Sequence, residues 1–208
     1  IPKPLLTFGN DTILEIIVSN LSKNKFTNIF LAARYKSEKF ELEIKKLKVK
    51  FPNISFHLSI EQKPLGTCGP LKLIDKYLPN TFLLMNGDVI TNLKFKIPKN
   101  KFLKSKSQLM VFSKQIKQPF DFGKLVIKNN KIIDILEKPL IENEIVAGIY
   151  YIKKSLIKKI PKNKYFGMDD LIKQMIKSNL KIERYLIKDF WLDLGDMQYY
   201  DKKLIKNS

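Results

Sequence analysis

Hydrophobic positions recur along this chain with two different periods, and each change of period marks an element. Ile13, Leu14, Ile17, Val18 and Leu21 return at helical intervals and give one apolar face. Thr12 and Glu15 have the spacing of a capping box, which predicts a helix starting there. Asn28 to Ala33 is a short apolar run that reads as a buried strand, and Ser37 to Val49 is a Lys/Glu-rich amphipathic helix. Ile54 to Leu58 reads as a strand and Leu71 to Leu78 as a helix. Thr81 to Met85 reads as a strand that runs into Asn86-Gly87-Asp88. This alternation predicts an α/β fold with a mostly parallel sheet and helices on both faces. Ligands in such sheets sit at the carboxyl ends of strands, which is where Asn86-Gly87-Asp88 falls.

The second half changes character. Gln108 to Ser113, Leu125 to Lys128 and Lys131 to Leu136 are short β-like runs. Asn129-Asn130 predicts a hairpin turn between the last two, because Asn tolerates positive φ. Glu144 to Ile152 reads as another strand. Asp169 is the expected N-cap of a helix with Leu171, Ile172, Met175 and Ile176 on one face. Lys181 to Ile187 and Phe190 to Leu194 are strand-like, and a last helix is expected from about Asp196. No low-complexity linker or repeat separates these parts, so one domain with a mixed sheet is expected, its second half folded onto its first.

Composition narrows the chemistry. The chain has 208 residues, enough for one sizeable core. No stretch approaches the ~20 apolar residues of a membrane span. Ile1-Pro2-Lys3-Pro4 carries no charged-then-apolar leader pattern, so the cytoplasm is the expected setting. Cys68 and His57 are single, which excludes an internal disulfide and disfavours a Cys/His zinc site. A metal is therefore expected on oxygen ligands, with Mg²⁺ the natural choice. A net charge of +19 raises nucleic acid as a partner. That partner is not expected, because the basic residues are spread along the chain and only Arg34 and Arg184 are arginines.

Five segments carry candidate chemistry. Lys3 lies between Pro2 and Pro4, which predicts extended backbone and a side chain that can be aimed at a phosphate. Glu61 to Gly69 follows a strand and precedes a helix, with Gly66 and Gly69 allowing close backbone approach to a ligand. Asp88 follows a buried strand and a glycine, a setting suited to Mg²⁺. Asp121-Phe122-Gly123 and Glu137-Lys138-Pro139 form the fourth, where a strand ending before Pro139 would free both charged side chains for hydroxyls and a phosphate. In the fifth, Trp191 and Asp193 share a strand face, and Asp193 needs a partner on an apolar run. Each segment taken alone also fits a plain reading: a loop lysine, an ordinary turn, an exposed ion pair or a helix cap.

Their order is more specific than any one of them. Ile-Pro-Lys-Pro-Leu, Pro-Leu-Gly-Thr-x-Gly, Asn-Gly-Asp, Phe-Gly, Glu-Lys-Pro, Ala-Gly-Ile-Tyr and Trp-x-Asp-x-Gly follow one another along the chain. Together they resemble the sugar-1-phosphate nucleotidyltransferases, with bacterial guanylyltransferase-like members the nearest match. The resemblance implies a Rossmann-like nucleotide-binding half over about 1–105 and a sugar-binding half over about 106–208. It implies phosphate contact for Lys3, base contact for Glu61, Leu65, Gly66 and Thr67, and nucleotide contact for Asn86 and Gly87. It implies Mg²⁺ on Asp88 and Asp193. It implies sugar or sugar-phosphate contact for Gly123, Glu137, Lys138, Ala147, Gly148 and Trp191. The implied substrates are a nucleoside triphosphate, GTP favoured, and a sugar 1-phosphate; a homo-oligomer is compatible with this reading.

The sequence departs from the family pattern twice. The family's glycine-rich loop with an arginine lies just upstream of the signature lysine, and here nothing precedes Ile1. The expectation is a domain without its first strand and triphosphate loop, turning over poorly or not at all on its own. The position before Ala147-Gly148 is often Asn in the family and here is Val146, which leaves the sugar open. A non-catalytic sensor or regulatory relative is the alternative, though both expected carboxylates are present.

Overall fold

The computed structural model of the chain describes residues 1–195. A 3₁₀ turn at Lys3–Leu5 leads into a small ribbon of β1 (Thr7–Phe8) and β2 (Asp11–Thr12). Helix α1 (Ile13–Lys23) follows, with the five expected apolar residues buried. The Thr12 Oγ1 accepts from the Glu15 N–H at 3.1 Å, as a cap should. The reciprocal half of the capping box is not made. The Glu15 carboxylate instead takes Lys50, at the end of α2 (Ser37–Lys50), and the Thr12 hydroxyl donates to the buried Glu43 of α2 at 2.7 Å. Thr12 therefore starts one helix and anchors another.

Between them lies β3 (Asn28–Ala33), which pairs in parallel with β4 (Ser55–Ile60). Ile29 and Ala33 are buried while Phe30 and Leu31 are half-covered, so this strand is less enclosed than its apolar run predicted. His57 stacks on Phe30 at 4.5 Å in this pair. The expected helix at 71–78 is shorter: α3 (Leu71–Ile74) gives way to a 3₁₀ turn at Asp75–Tyr77. Then come β5 (Thr81–Met85), β6 (Val89–Thr91) and a helix the periodicity did not predict, α4 (Lys96–Lys104). Pro98 hides that helix in the sequence. It sits in the first turn, where its missing N–H has no helical partner to lose.

The second half is built on two long strands, β7 (Leu109–Pro119) and β10 (Leu140–Lys153). They carry a hairpin of β8 (Lys124–Lys128) and β9 (Lys131–Leu136). Asn129 and Asn130 turn it with φ of 50° and 61°, as expected of Asn. Helix α5 (Met168–Lys177), β11 (Ile182–Leu186) and β12 (Trp191–Asp193) complete the described chain. The cap of α5 is Gly167, two residues before the expected Asp169. The Gly167 N–H donates to Asp170 at 2.8 Å, and Asp169 pairs with Lys173 at 3.2 Å. The last helix expected from about Asp196 lies outside the described residues.

The central sheet has the order β11-β7-β10-β5. The α/β class and the mixed sheet are as expected, but the balance differs from a mostly parallel one. Among the described pairings two are parallel and five antiparallel. Helix α2 connects the parallel pair β3·β4, and β11 joins β7 in parallel after α5, while the hairpin-bearing ribbon folds back on itself and is antiparallel. Alternation along β7 divides the core. Met110 and Phe112 face a cluster shared with α1, α2, β6 and β12, and Leu109 faces another shared with α3 and α5. The larger cluster joins residues from Ile13 to Leu194, so both halves of the chain share it.

Thr12→Val keeps the shape but removes the cap acceptor and leaves the buried Glu43 carboxylate without its donor. A loss of about 1–3 kcal/mol is expected in urea unfolding, with an unchanged denaturant slope.

Candidate active site

The first and last described segments meet at the end of β5. The Lys3 Nζ donates to the Gly195 carbonyl at 2.9 Å. Pro4 lies against the turn after β5, where a Cβ added to Gly87 would meet its Cγ at 3.0 Å. The Leu194 N–H donates to the Asp88 carbonyl at 2.9 Å, and the Gly195 N–H donates to Asp193 Oδ1 at 2.7 Å. A Cβ on Gly195 would lie 2.8 Å from Asp193 Oδ1 and 3.5 Å from Asp88 Oδ2. Three residues far apart in sequence, Lys3, Asp88 and Asp193, thus converge on one point. Lys3 is not in extended backbone as expected from Pro4. The Leu5 N–H closes on the Pro2 carbonyl at 2.9 Å and makes a 3₁₀ turn of which Lys3 is the first residue.

Electrostatics marks this cluster. Burial raises the Asp88 pKa above the ordinary carboxylate range, and the charge of Asp193 pushes the same way. A backbone hydrogen bond and Lys3 partly offset that rise. Two hard oxygen donors that repel one another suit a divalent cation, which relieves both causes together. No group of three or more His, Cys, Asp or Glu side chains placed to hold a metal ion occurs among the described residues.

Beside the pair, β10 breaks register against β7 between Val146 and Tyr150. Gly148 lies in this bulge with φ +69°, and its carbonyl accepts from the Asn86 N–H at 2.8 Å. A Cβ there would meet Asn86 Nδ2 at 2.7 Å. The Trp191 indole N–H donates to the Ala147 carbonyl at 2.9 Å. Asn86, Ala147, Gly148 and Trp191 are therefore brought together around Asp88, and their polar groups fix backbone.

The Glu61–Gly69 segment uses its special residues differently from the expectation. The Glu61 carboxylate accepts from the Leu65 N–H at 3.1 Å. Gly66 has φ +77°, and a Cβ there would strike the Phe166 carbonyl at 2.7 Å. The N–H groups of Cys68 and Gly69 both donate to that carbonyl, at 3.0 and 3.1 Å. Thr67 Oγ1 accepts from the Met168 N–H at 2.8 Å. The glycines and the amides ahead of α3 thus dock the loop at 166–168. Leu65 is buried, and Cys68 is enclosed with its thiol pKa pushed up to about 12 by burial, so it is inert.

Gly123, Glu137 and Lys138 stand together on the hairpin, where a Cβ on Gly123 would lie 3.3 Å from Glu137 Oε2. β9 ends at Leu136, so Glu137 and Lys138 are free of strand alternation, as expected. Lys138 has φ +43° directly before a proline, an uncommon backbone state for a lysine. No hydrogen bond or ion pair among the described residues ties Glu137 or Lys138 to the carboxylate pair. Ser113, Glu144 and Arg184, which carry no sequence motif, form a further polar group near Val146.

A lysine and two carboxylates thus meet at the strand ends of a mixed α/β domain. The particular family follows from comparison: residues 1–204 match the Nucleotidyl transferase family model, and the chain belongs to that family. It is 30% identical over 203 residues to the mannose-1-phosphate guanyltransferase of Aspergillus fumigatus, spanning 94% of this chain and 55% of that protein. The Debaryomyces hansenii protein of the same name is 28% identical over 203 residues, spanning 94% of this chain and 56% of its own. The chain thus spans about half the length of the curated relatives it matches. HddC from Yersinia pseudotuberculosis superposes with a TM-score of 0.74 at 24% identity, covering 100% of this chain and 91% of its own. A putative glucose-1-phosphate thymidylyltransferase from Bacillus anthracis, solved with a sucrose, gives 0.72 at 21% identity over 99% and 87%. These two show a shared fold.

Gly148→Ala is expected to destabilise by more than ~1 kcal/mol, because it combines a strained φ with a clash at Asn86. Gly9→Ala, at φ +66° with nothing within 4 Å, is the control. Chemical denaturation of both checks this: equal losses would mean that the Asn86 contact carries no cost.

Proposed function

We propose that this protein transfers a nucleotidyl group from a nucleoside triphosphate, GTP favoured, to a sugar 1-phosphate, giving a nucleotide-sugar and pyrophosphate. The observation that carries the proposal is the convergence of Lys3, Asp88 and Asp193 at the end of β5. GTP is favoured because the guanyltransferase relatives match over nearly the whole chain, and because HddC was solved with GMP-PN. The proposal includes one nucleotidyltransferase domain over 1–208, with its nucleotide half over about 1–105 and its sugar half over about 106–208. A cytoplasmic setting follows from the need for nucleoside triphosphate; no helix among the described residues is long and apolar enough to cross a membrane.

In this reading a phosphate oxygen of the sugar 1-phosphate attacks the α-phosphorus in line. The bond from that phosphorus to the bridging oxygen breaks, and pyrophosphate leaves with the electron pair. The protein's part is positioning and charge neutralisation, so a nucleophilic side chain is unnecessary. Asp88 and Asp193 would hold Mg²⁺, which when bound offsets charge on the nucleotide phosphates. Lys3, aligned by its bond to the Gly195 carbonyl, presents an ammonium to the same phosphates. Asn86 and Gly87 shape the turn that carries Asp88. Leu65, Gly66 and Thr67 form the wall for the base, braced by Glu61. Glu137 receives sugar hydroxyls, with Gly123 giving it room. Lys138 meets the sugar phosphate. The bulge at Ala147-Gly148 lets the sugar approach backbone, and Trp191 fixes that bulge through the Ala147 carbonyl.

The test is a matrix of nucleoside triphosphates against sugar 1-phosphates, read by pyrophosphate release. It is run on this chain and on a version carrying a glycine-rich loop ahead of Ile1. Release with at least one pair is expected in the extended version. Nucleotide binding without release in any pair would favour the sensor reading. Asp88→Asn and Asp193→Asn are each expected to abolish Mg²⁺-dependent turnover, and near-normal rates in both would sink the metal assignment. Metal binding must also displace a proton held more tightly than usual by Asp88. Its affinity is therefore expected to fall as pH drops through that raised pKa, with proton release detectable by calorimetry in two buffers.

A further inference from the structure

We propose that Ser113, Glu144 and Arg184 form a specificity subsite that receives a neutral hydroxyl of the sugar, away from its anomeric phosphate, and disfavours a second anionic group. The inference rests on the sugar 1-phosphate reading. Ser113 on β7 lies opposite Val146 on β10 and Leu186 on β11, and Val111 lies opposite Arg184. Paired and alternate residues share a face, so Val111, Ser113, Glu144, Val146 and Arg184 all project from one side of the sheet. They line a groove of about 270 Å³. That is below the roughly 300–1,000 Å³ of whole-ligand pockets, so the groove suits one end of a ligand. Val146, which also lines it, is the residue before the Ala147-Gly148 bulge.

Three features show that this groove is built for a polar group. Ser113 is 7% exposed, and its Oγ is the buried side-chain polar atom without a hydrogen-bond partner among the described residues. Such an orphan costs stability unless a ligand completes it. Arg184 reaches across β7 to bind Glu144 through both Nε and Nη2. Arginine is used at only two of the chain's 39 basic positions, Arg34 and Arg184, so a forked donor here stands against the chain's preference for lysine.

The charge state selects the ligand. Hydrogen bonding from Arg184, and next a contribution from Ser113, hold the Glu144 carboxyl below its ordinary range. The Ser113 hydroxyl is near enough to contribute but lacks ordinary hydrogen-bond geometry. The carboxylate keeps lone pairs that accept from a hydroxyl, and the arginine fork is already filled by a carboxylate. A hydroxyl therefore finds the Glu144 carboxylate as an acceptor beside Ser113, whereas a second phosphate finds an occupied arginine and the Glu144 charge.

The test titrates the chain, with Mg²⁺ present, with mannose 1-phosphate and mannose 1,6-bisphosphate by calorimetry. Glu144→Gln removes the charge and frees the Arg184 fork. The affinity ratio is expected to move about tenfold towards the bisphosphate. Ser113→Ala, a small change that should fold even if the other variant does not, is expected to weaken the monophosphate about three- to tenfold. Ratios and affinities within twofold of the unmodified chain in the folded variants would overturn the subsite and leave the sugar-phosphate reading standing. Failure of the unmodified chain to bind either sugar phosphate would overturn both.

Discussion

Two carboxylates, Asp88 and Asp193, are held side by side where the beginning and end of the described chain meet, and like charges do not stay together unaided. Burial, and then their repulsion, raises the Asp88 pKa. What keeps them in place is backbone. Leu194 and Gly195 donate along this junction, and Lys3 closes it through the Gly195 carbonyl. Much of the surrounding fold serves this meeting. β12 pairs only with β6 among the described strands, so Asp193 is set against the turn that carries Asp88. Thr91 strengthens the pair by donating to the Phe190 carbonyl at 2.6 Å.

The junction stays rigid because its neighbours use their special residues on one another. Gly148 takes a positive φ and accepts from the Asn86 amide, and Trp191 binds the preceding carbonyl. Gly66 makes room for the Phe166 backbone in the same manner. A glycine next to a binding segment therefore has two possible employers, a ligand or the protein's own backbone. Here the contacts at Gly66, Gly69 and Gly148 are with protein. This is preorganisation: loops that would otherwise be mobile present their remaining groups in fixed directions.

The fold was legible wherever periodicity was strong. The apolar stripe of α1, the strand at Thr81–Met85 and the Asn-Asn hairpin stand where the pattern put them. The misreadings have local causes. Pro98 concealed α4 by sitting in its first turn, and Asp169 looked like a cap when Gly167, held by Asp170, performs that role. The site was legible as a set of motifs, since Lys3, Asp88 and Asp193 stood out for their unusual surroundings. Ser113, Glu144 and Arg184 did not, because each is unremarkable on its own strand. Only the register of three strands makes them neighbours.

By itself, the sequence determined most of the elements, the order of the motifs and the family, because hydrophobic period, turn residues and spacing are local properties. It also disfavoured a Cys/His metal site, since the chain has one cysteine and one histidine. The tertiary structure decided the balance of parallel and antiparallel pairing, the employer of each glycine, and which charged groups meet. Those outcomes depend on distance through space, and the free energy of a carboxylate pair or an arginine fork is set by neighbours that lie far away in the chain.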